Sequence, residues 1–439
     1  VQAVIMAGGK GTRLAEVTKN EVPKPMVDIL GKPLLEWQIE VLKANGITDI
    51  IFVIGFLGNV VREHFGNGSK FGIHAEYIEE NEPLGTAGAF FYLRAKIKDE
   101  PFFLVFGDVL FDIDLARMTD FHKKNGSIAT LFVHPNSHPF DSDLIECDKF
   151  GRIVKFDSKH NARDYWYKNC VNAGLYILNP ELLSLVSAPV KTDLEKDILA
   201  KLIEEKKHIF GYRSPEYIKD VGTVERIKSA KKDIESGFIE KRCLRNKQKC
   251  IFLDRDGTVN VYKGLISHIE EFELERGVVD AVRKINSSEY LCVVVTNQPV
   301  VARGLCTIED VESIHKKMET LLGKEGAYLD DVLFCPHHPD KGYPEENPVY
   351  KIKCQCRKPG TGMLLEAADK YNIDLSASWI VGDTTLDIQT GVNAGTHTAL
   401  VLTGEAGKDG KYDAAPDFTA GTLLEAVEKI IGRQKELTA

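Results

Sequence analysis

Twice in this chain an apolar strand runs straight into a short motif that a buried strand could not tolerate. Gln2–Met6 leads into Gly8-Gly9-Lys10-Gly11, and Cys250–Leu253 leads into Asp254-Arg255-Asp256-Gly257. Each start opens an α/β series, because short apolar β-branched runs follow it and helical patterns lie between them. DIIFVIG, PFFLVFG and SIATLFV supply the first half, and LCVVVTN, VLFC and SWIVGD the second. At 439 residues the chain also exceeds what one hydrophobic core usually serves. Two α/β domains are therefore expected. The basic, weakly apolar stretch Glu225–Lys249 marks the boundary, near residue 240, with a domain over 1–235, a linker over 236–248 and a second domain over 249–433.

A formal net charge of -9 with no block of Lys and Arg argues against a nucleic-acid or membrane surface as partner. The first apolar run has no basic leader and breaks at Gly8 and Gly9, so a cytoplasmic protein acting on small molecules is expected. Nine cysteines in a chain of this length do not form a disulfide framework.

In the first half, glycines after the strand let backbone N–H groups turn toward a polyphosphate, and Lys10 and Arg13 add charge. The loop is not a Walker sequence, and Leu14 stands where a dinucleotide fingerprint needs its third glycine. Lys24 is held between Pro23 and Pro25. Further along come Glu82-Pro83-Leu84-Gly85-Thr86-Ala87-Gly88, Gly107-Asp108, Val171-Asn172-Ala173-Gly174-Leu175-Tyr176 and Asp220-Val221-Gly222-Thr223. This ordered set over residues 1–235 resembles the nucleoside diphosphate sugar pyrophosphorylases, which join a sugar 1-phosphate to a nucleoside triphosphate and release pyrophosphate. The resemblance implies a Rossmann-like, GT-A-like nucleotidyltransferase sheet. It implies nucleotide contacts from Gly8, Gly9, Gly11, Thr12, Arg13, Lys24, Glu82, Gly85 and Asp108. It further implies a Mg²⁺ ion on Asp108 and Asp220, Arg13 over the leaving pyrophosphate and Lys24 on the α-phosphate. Asn172, Gly174 and Lys159 would meet the sugar phosphate, although Asp157-Ser158-Lys159 departs from the Glu-Lys of many relatives. The EPLGTAG segment resembles the guanylyltransferase branch, with Glu82 accepting from guanine N1–H and N2–H and Gly85 letting the base approach.

In the second half, Asp254 and Asp256 stand two residues apart at a strand end, where one can attack a phosphate and the other exchange a proton with the leaving oxygen. With Thr296-Asn297, Arg357-Lys358-Pro359 and Gly382-Asp383-Thr384-Thr385-Leu386-Asp387, the pattern resembles the haloacid dehalogenase phosphatases. That family implies a Rossmannoid fold with Mg²⁺ on Asp254, the Asp256 carbonyl and Asp383, and Asp387 in support. Thr296, Asn297 and Lys358 would meet the transferred phosphoryl group. Cys335, His337, Cys354 and Cys356 have the paired spacing of a structural Zn²⁺ site on a loop, with His338 the competitor to His337. The zinc cluster, Ala302-Arg303-Gly304 and the CRKP junction resemble heptose 1,7-bisphosphate 7-phosphatases, so that Arg303 and Lys358 would hold the retained phosphate, with Arg357 also at the substrate. Pro299-Val300-Val301 departs from the Ser-Gly-Ile of relatives.

Together the resemblances imply a phosphatase acting on D-glycero-α-D-manno-heptose 1,7-bisphosphate whose product, a heptose 1-phosphate, feeds a guanylyltransferase that uses GTP, giving GDP-heptose for surface polysaccharide. The alternative is a mannose 1-phosphate guanylyltransferase joined to a phosphatase for another substrate, such as histidinol phosphate.

Overall fold

The computed structural model describes residues 1–9 and 21–438, with side chains through Arg433. The chain divides into two compact units. The first comprises Val1–His134, Asp143–Ser158 and Cys170–Arg245; the second comprises Pro135–Ser142, Lys159–Asn169 and the chain from Asn246 onward.

The first unit is built on a nine-stranded sheet. Its parallel part runs His74–Glu79, Asp49–Ile54, Gln2–Met6, Phe102–Phe106 in spatial order. Val171–Leu178 then adds antiparallel to Phe102–Phe106 and pairs with both Ala129–His134 and Leu144–Cys147. Both faces of this sheet are buried, which explains why QAVIM carries no alternation of polar residues. Val4 packs on one face with Ile51, Val53 and Leu104, while Ala3 and Ile5 pack on the other with Ile50, Phe52 and Phe103.

Two connections position the site. Helix Leu34–Ala44 buries Gln38, whose amide donates to the carbonyls of Phe106 at 2.9 Å and Val109 at 2.6 Å. It thereby pins the turn that carries Gly107 and Asp108. A separate antiparallel ribbon, Val109–Asp112 with Tyr217–Asp220, pairs Asp220 with Val109, and the Val221 N–H donates to the Asp108 carbonyl at 2.9 Å. Residues 112 places apart thus meet by register of one ribbon.

The stretch 236–248, read from sequence as a linker, is packed for most of its length. It holds the helix Phe238–Lys241, and Arg242, Cys243 and Leu244 are buried, with the Leu244 N–H donating to Glu216 at 2.9 Å.

The second unit has a six-stranded parallel sheet in the order Asp331–Cys335, Tyr290–Asn297, Lys249–Leu253, Trp379–Gly382, His397–Val401, Phe418–Ala420. The chain builds outward on one side of Lys249–Leu253, then returns to build on the other. That reversal lies between Leu253 and Gly382, and it opens a crevice at the carboxyl ends of the two strands, where ligands bind in open α/β sheets. Asp254 and Asp383 are the next residues. Within the same unit, the Tyr167 N–H donates to Thr320 Oγ1 at 2.9 Å, and a Cβ at Gly323 would lie 2.6 Å from the Pro139 ring. Small residues on helix Ile308–Lys324 thus let Pro135–Ser142 and Lys159–Asn169 pack closely. Among the described residues no helix is long and apolar enough to cross a membrane.

Candidate active sites

In the first unit Gly8 and Gly9 follow the central strand, and the Ala7 N–H donates to the Val53 carbonyl at 2.7 Å. Lys10, Gly11, Thr12 and Arg13 lie outside the described residues. Lys24 begins a tight turn over Lys24–Met26, and its Nζ pairs with Asp108 while standing 3.6 Å from Asp220. Arg226, unremarked in the sequence, pairs with the other Asp220 oxygen at 2.6 Å. A Cβ at Gly222 would sit 2.7 Å from the Asp220 carboxylate and 2.9 Å from Lys24 Nζ, so only glycine leaves room for this approach. The two aspartates named from sequence meet around one ammonium. Carboxylates this close have the oxygen chemistry that Mg²⁺ takes, and Lys24 is the charge such an ion would replace.

Around the expected base pocket the structure adds two details. Glu82 is exposed, whereas Glu80 lies beside Gly8, one of its oxygens 3.1 Å from a Cβ built there and the other buried without a hydrogen bond among the described residues. Burial raises the Glu80 carboxyl to about 7, against the Leu84 N–H that favours its charge. Gly85, expected to admit a base, has φ +80° and a Cβ there would meet the Thr192 carbonyl at 2.5 Å. The glycine is required by the turn and by its own chain. Asn172 and Gly174 lie on Val171–Leu178, where the ladder to Ala129–His134 shifts register between Asn172 and Tyr176. Gly174 has φ +75°, with the Phe106 ring 2.8 Å from its Cβ position. Lys159 belongs to the second unit.

In the second unit Lys358 is 4% exposed, and its ammonium donates to Asp254 and to Asp387, each at 2.5 Å. Burial opposes the charge on Lys358, but the two carboxylates outweigh it and push its pKa up. Burial also raises Asp254, helped by repulsion from Asp387 and Asp256 and opposed by Lys358. Asp383 is fully buried and raised by burial and by Asp254, and its Oδ1 has no hydrogen-bond partner. Asp254, Asp383 and Asp387 each offer an oxygen within 4.8 Å of the others. An orphaned buried carboxylate oxygen among three acids fits a hard divalent cation. Asp387 is also fixed by Thr384, whose hydroxyl donates to it at 2.5 Å at the start of helix Thr385–Ala394.

Asp256 points away from this trio into a fork of donors. Arg255, fully buried, reaches its two oxygens at 2.8 and 2.9 Å, Gln298 reaches one at 2.8 Å and Asn260 the other at 3.2 Å. Gln298 also donates to Thr296 at 3.0 Å. Neither Arg255 nor Gln298 was singled out from sequence. Asn297, expected at the substrate, instead accepts the Lys358 N–H at 2.9 Å and donates to the Lys358 carbonyl at 3.2 Å.

The Cys335, Cys354 and Cys356 sulfurs are 3.1 to 3.5 Å apart, and His337 Nδ1 lies 3.4 Å from Cys356 and 3.7 Å from Cys335. Four soft donors at roughly tetrahedral edge lengths fit zinc. His338 is buried elsewhere, with its Nδ1 accepting from the Asp340 N–H at 3.2 Å. Arg357 donates to the His337 carbonyl at 3.1 Å. Arg303 lies 4.6 Å and Lys351 4.8 Å from the Tyr343 ring centre, a cationic group of which the sequence indicated only the arginine. Val300 and Val301 pack with Val311, so the departure at Pro299-Val300-Val301 fills an apolar cluster.

The sheets and these constellations define a two-part enzyme, a nucleotidyltransferase followed by a phosphatase. The chain belongs to the Nucleotidyl transferase family, which matches residues 2–237, and a HAD-hydrolase-like family matches residues 355–426. The chain is 41% identical over 186 residues to the D-glycero-beta-D-manno-heptose-1,7-bisphosphate 7-phosphatase of Yersinia pestis, covering 42% of this chain and 96% of that one. It is 30% identical over 246 residues to a mannose-1-phosphate guanylyltransferase of Mycobacterium tuberculosis, covering 56% of this chain and 67% of that one. The solved structure of HddC from Yersinia pseudotuberculosis aligns with 53% of this chain and 99% of its own at 25% identity and a TM-score of 0.46.

Proposed function

We propose that the second unit removes the 7-phosphate from a D-glycero-D-manno-heptose 1,7-bisphosphate and that the first unit transfers GMP from GTP to the resulting heptose 1-phosphate. The observation that carries this reading is the buried Asp254–Lys358–Asp387 constellation beside the clasped Asp256, in a unit that is 41% identical to a phosphatase named for that bisphosphate.

In the second unit the Asp254 carboxylate attacks phosphorus, forming an aspartyl phosphate as the bond to the sugar oxygen breaks. Asp256, held by Arg255 and Gln298 in the resting protein, gives that oxygen its proton. It then takes a proton from the water that hydrolyses the aspartyl phosphate, and phosphate leaves. Lys358 offsets charge on the phosphoryl oxygens, and Arg303 with Lys351 and Arg357 supports the phosphate that stays. Mg²⁺ held by Asp254, Asp383 and Asp387 would supply further neutralisation, and Zn²⁺ on Cys335, His337, Cys354 and Cys356 would staple the loop.

In the first unit an oxygen of the sugar phosphate attacks the α-phosphorus of GTP, the bond to the β-phosphate breaks and pyrophosphate departs. Lys24 neutralises the α-phosphate, Asp108 and Asp220 would hold Mg²⁺, and Asn172 orients the sugar. Glu80 is the better placed acceptor for guanine N–H groups, since Glu82 is exposed. The mycobacterial relative favours a second reading for this unit, with mannose 1-phosphate as acceptor.

The test supplies α and β heptose 1,7-bisphosphates, or mannose 1-phosphate, with GTP, UTP, CTP or ATP, and follows phosphate and pyrophosphate. Release of both from a heptose bisphosphate with GTP supports the sequential reading. Pyrophosphate from mannose 1-phosphate alone supports the second reading, and phosphate without pyrophosphate from any pair removes the first unit's assignment.

A further inference from the structure

Glu195 takes no part in the chemistry above, yet its carboxylate connects two parts of the first pocket. It sits in the single wide turn Leu194–Leu199, directly after a segment that supports the EPLGTAG loop. The Thr192 N–H donates to the Leu84 carbonyl at 2.9 Å, the Ala87 N–H donates to the Thr192 carbonyl at 3.0 Å, and the Leu194 N–H donates to Thr86 Oγ1 at 2.7 Å. Thr86 in turn donates to one oxygen of Glu195 at 3.4 Å. The other oxygen accepts from the Tyr176 hydroxyl at 2.5 Å and from Asn172 Nδ2 at 3.4 Å. Asn172 Nδ2 also donates to the Tyr176 oxygen at 2.7 Å.

This arrangement fixes which way the Asn172 amide faces. Its nitrogen is committed to a carboxylate and to a hydroxyl oxygen whose own proton goes to Glu195, so neither would suit the amide oxygen in the same place. Its Oδ1 is consequently turned away from them, and among the described residues it is buried with no hydrogen-bond partner. A buried acceptor without a donor costs free energy, and a sugar hydroxyl is the kind of donor that would remove the cost. Burial raises the Glu195 carboxyl to about 7 despite the Tyr176 hydroxyl that favours its charge, so the site holds a carboxyl where an apolar residue would cost less.

We propose that Glu195 is a positioning residue that locks the sugar-facing Asn172 to the Thr86 loop, so that sugar phosphate and nucleotide meet in one fixed geometry. This rests on reading the first unit as a sugar 1-phosphate nucleotidyltransferase.

The test uses the full chain and the variants Glu195→Ala, Glu195→Gln, Asn172→Ala and Asn172→Ala with Glu195→Ala. Pyrophosphate release gives kcat and separate KM values for the sugar 1-phosphate and the nucleoside triphosphate, and thermal unfolding of the first unit monitors folding. Glu195→Ala is expected to raise the sugar-phosphate KM about tenfold and the nucleotide KM severalfold, whereas Asn172→Ala raises the former alone. Glu195→Gln, which keeps an acceptor oxygen, should restore part of the sugar-phosphate KM. The double variant should be no worse than about twofold beyond Glu195→Ala, because one lock has been opened twice. Effects that multiply, or a lowered melting temperature with both KM values unchanged, would overturn the proposal. If the wild-type chain transfers no nucleotide, the enzymatic reading fails separately. Crystal structures of wild type and Glu195→Ala then decide the lock itself: a turned or mixed Asn172 amide in the variant supports it, and an unmoved amide sinks it.

Discussion

Asn297 clasps the Lys358 peptide from both sides, taking its N–H on Oδ1 and giving an N–H to its carbonyl. The strand end that carries Thr296 is thereby tied to the lysine that faces Asp254. Replacing Asn297 with Ala frees the peptide without removing any group that would touch the phosphoryl oxygens. Phosphate release should fall about 10- to 100-fold, the range that misplacement of a catalytic group produces, while pyrophosphate release from a supplied sugar 1-phosphate is unchanged. Equal loss in both assays would point to global unfolding instead.

Gly85 is expected to be intolerant for a conformational reason. Alanine there must adopt φ near +80° with its methyl 2.5 Å from the Thr192 carbonyl. Gly85→Ala should cost about 1–3 kcal/mol of first-unit stability and raise the nucleotide KM. Calorimetry beside kinetics checks both, and an unchanged melting profile would show that the loop relaxes freely.

The Cys335, His337, Cys354 and Cys356 cluster predicts metal-dependent stability of the second unit. Cys354→Ala should abolish zinc binding by elemental analysis, lower the melting temperature and extinguish phosphate release. A strong chelator should do the same to wild type, reversibly on adding Zn²⁺. Full phosphatase activity in zinc-free protein would refute the assignment.

Glu216 offers a pH test. It is 2% exposed and raised from 4.5 to about 7, by burial acting against N–H donors from Asp114 and Leu244 and the Ser214 hydroxyl. A raised carboxyl binds more protons folded than unfolded, so its contribution is present below about 4.5 and is lost as pH rises through about 7. Glu216→Gln has no proton to lose. Relative to wild type, the variant should gain on the order of 2–3 kcal/mol between pH 4.5 and 8, read from unfolding of the first unit at each pH. A constant difference across that range would show that Glu216 does not titrate there.

Much of this architecture is legible because strand ends announce themselves. A buried parallel strand is apolar throughout, so the first polar residue after it marks where chemistry can sit, and Asp108, Asp254 and Asp383 all stand at such ends. The Cys335, His337, Cys354 and Cys356 cluster is legible because two close pairs of thiol and imidazole donors, set among polar loop residues, suit a tetrahedral ion far better than they suit a core. What sequence missed are partners supplied from a distance. Arg226 reaches Asp220 from the next helix, Lys351 joins Arg303 at Tyr343 across a long loop, and Glu195 reaches Asn172 from a separate turn. No local periodicity encodes such meetings. Glu80 was not picked out beside Glu82 because loop residues have no fixed inward face. The Gly85 requirement was visible, but its cause lay in Thr192, over a hundred positions further along.

Asp108 and Asp220 against Lys24 and Arg226 make two negative and two positive charges, so among the described residues this corner is electrically balanced. A balanced quartet casts little field into solvent, and an arriving polyanion is neither drawn in nor turned away by it from a distance. Long-range pull on a polyanion must then come from charges beyond these four, and it is those that added salt would blunt, while the quartet itself selects by fit after collision.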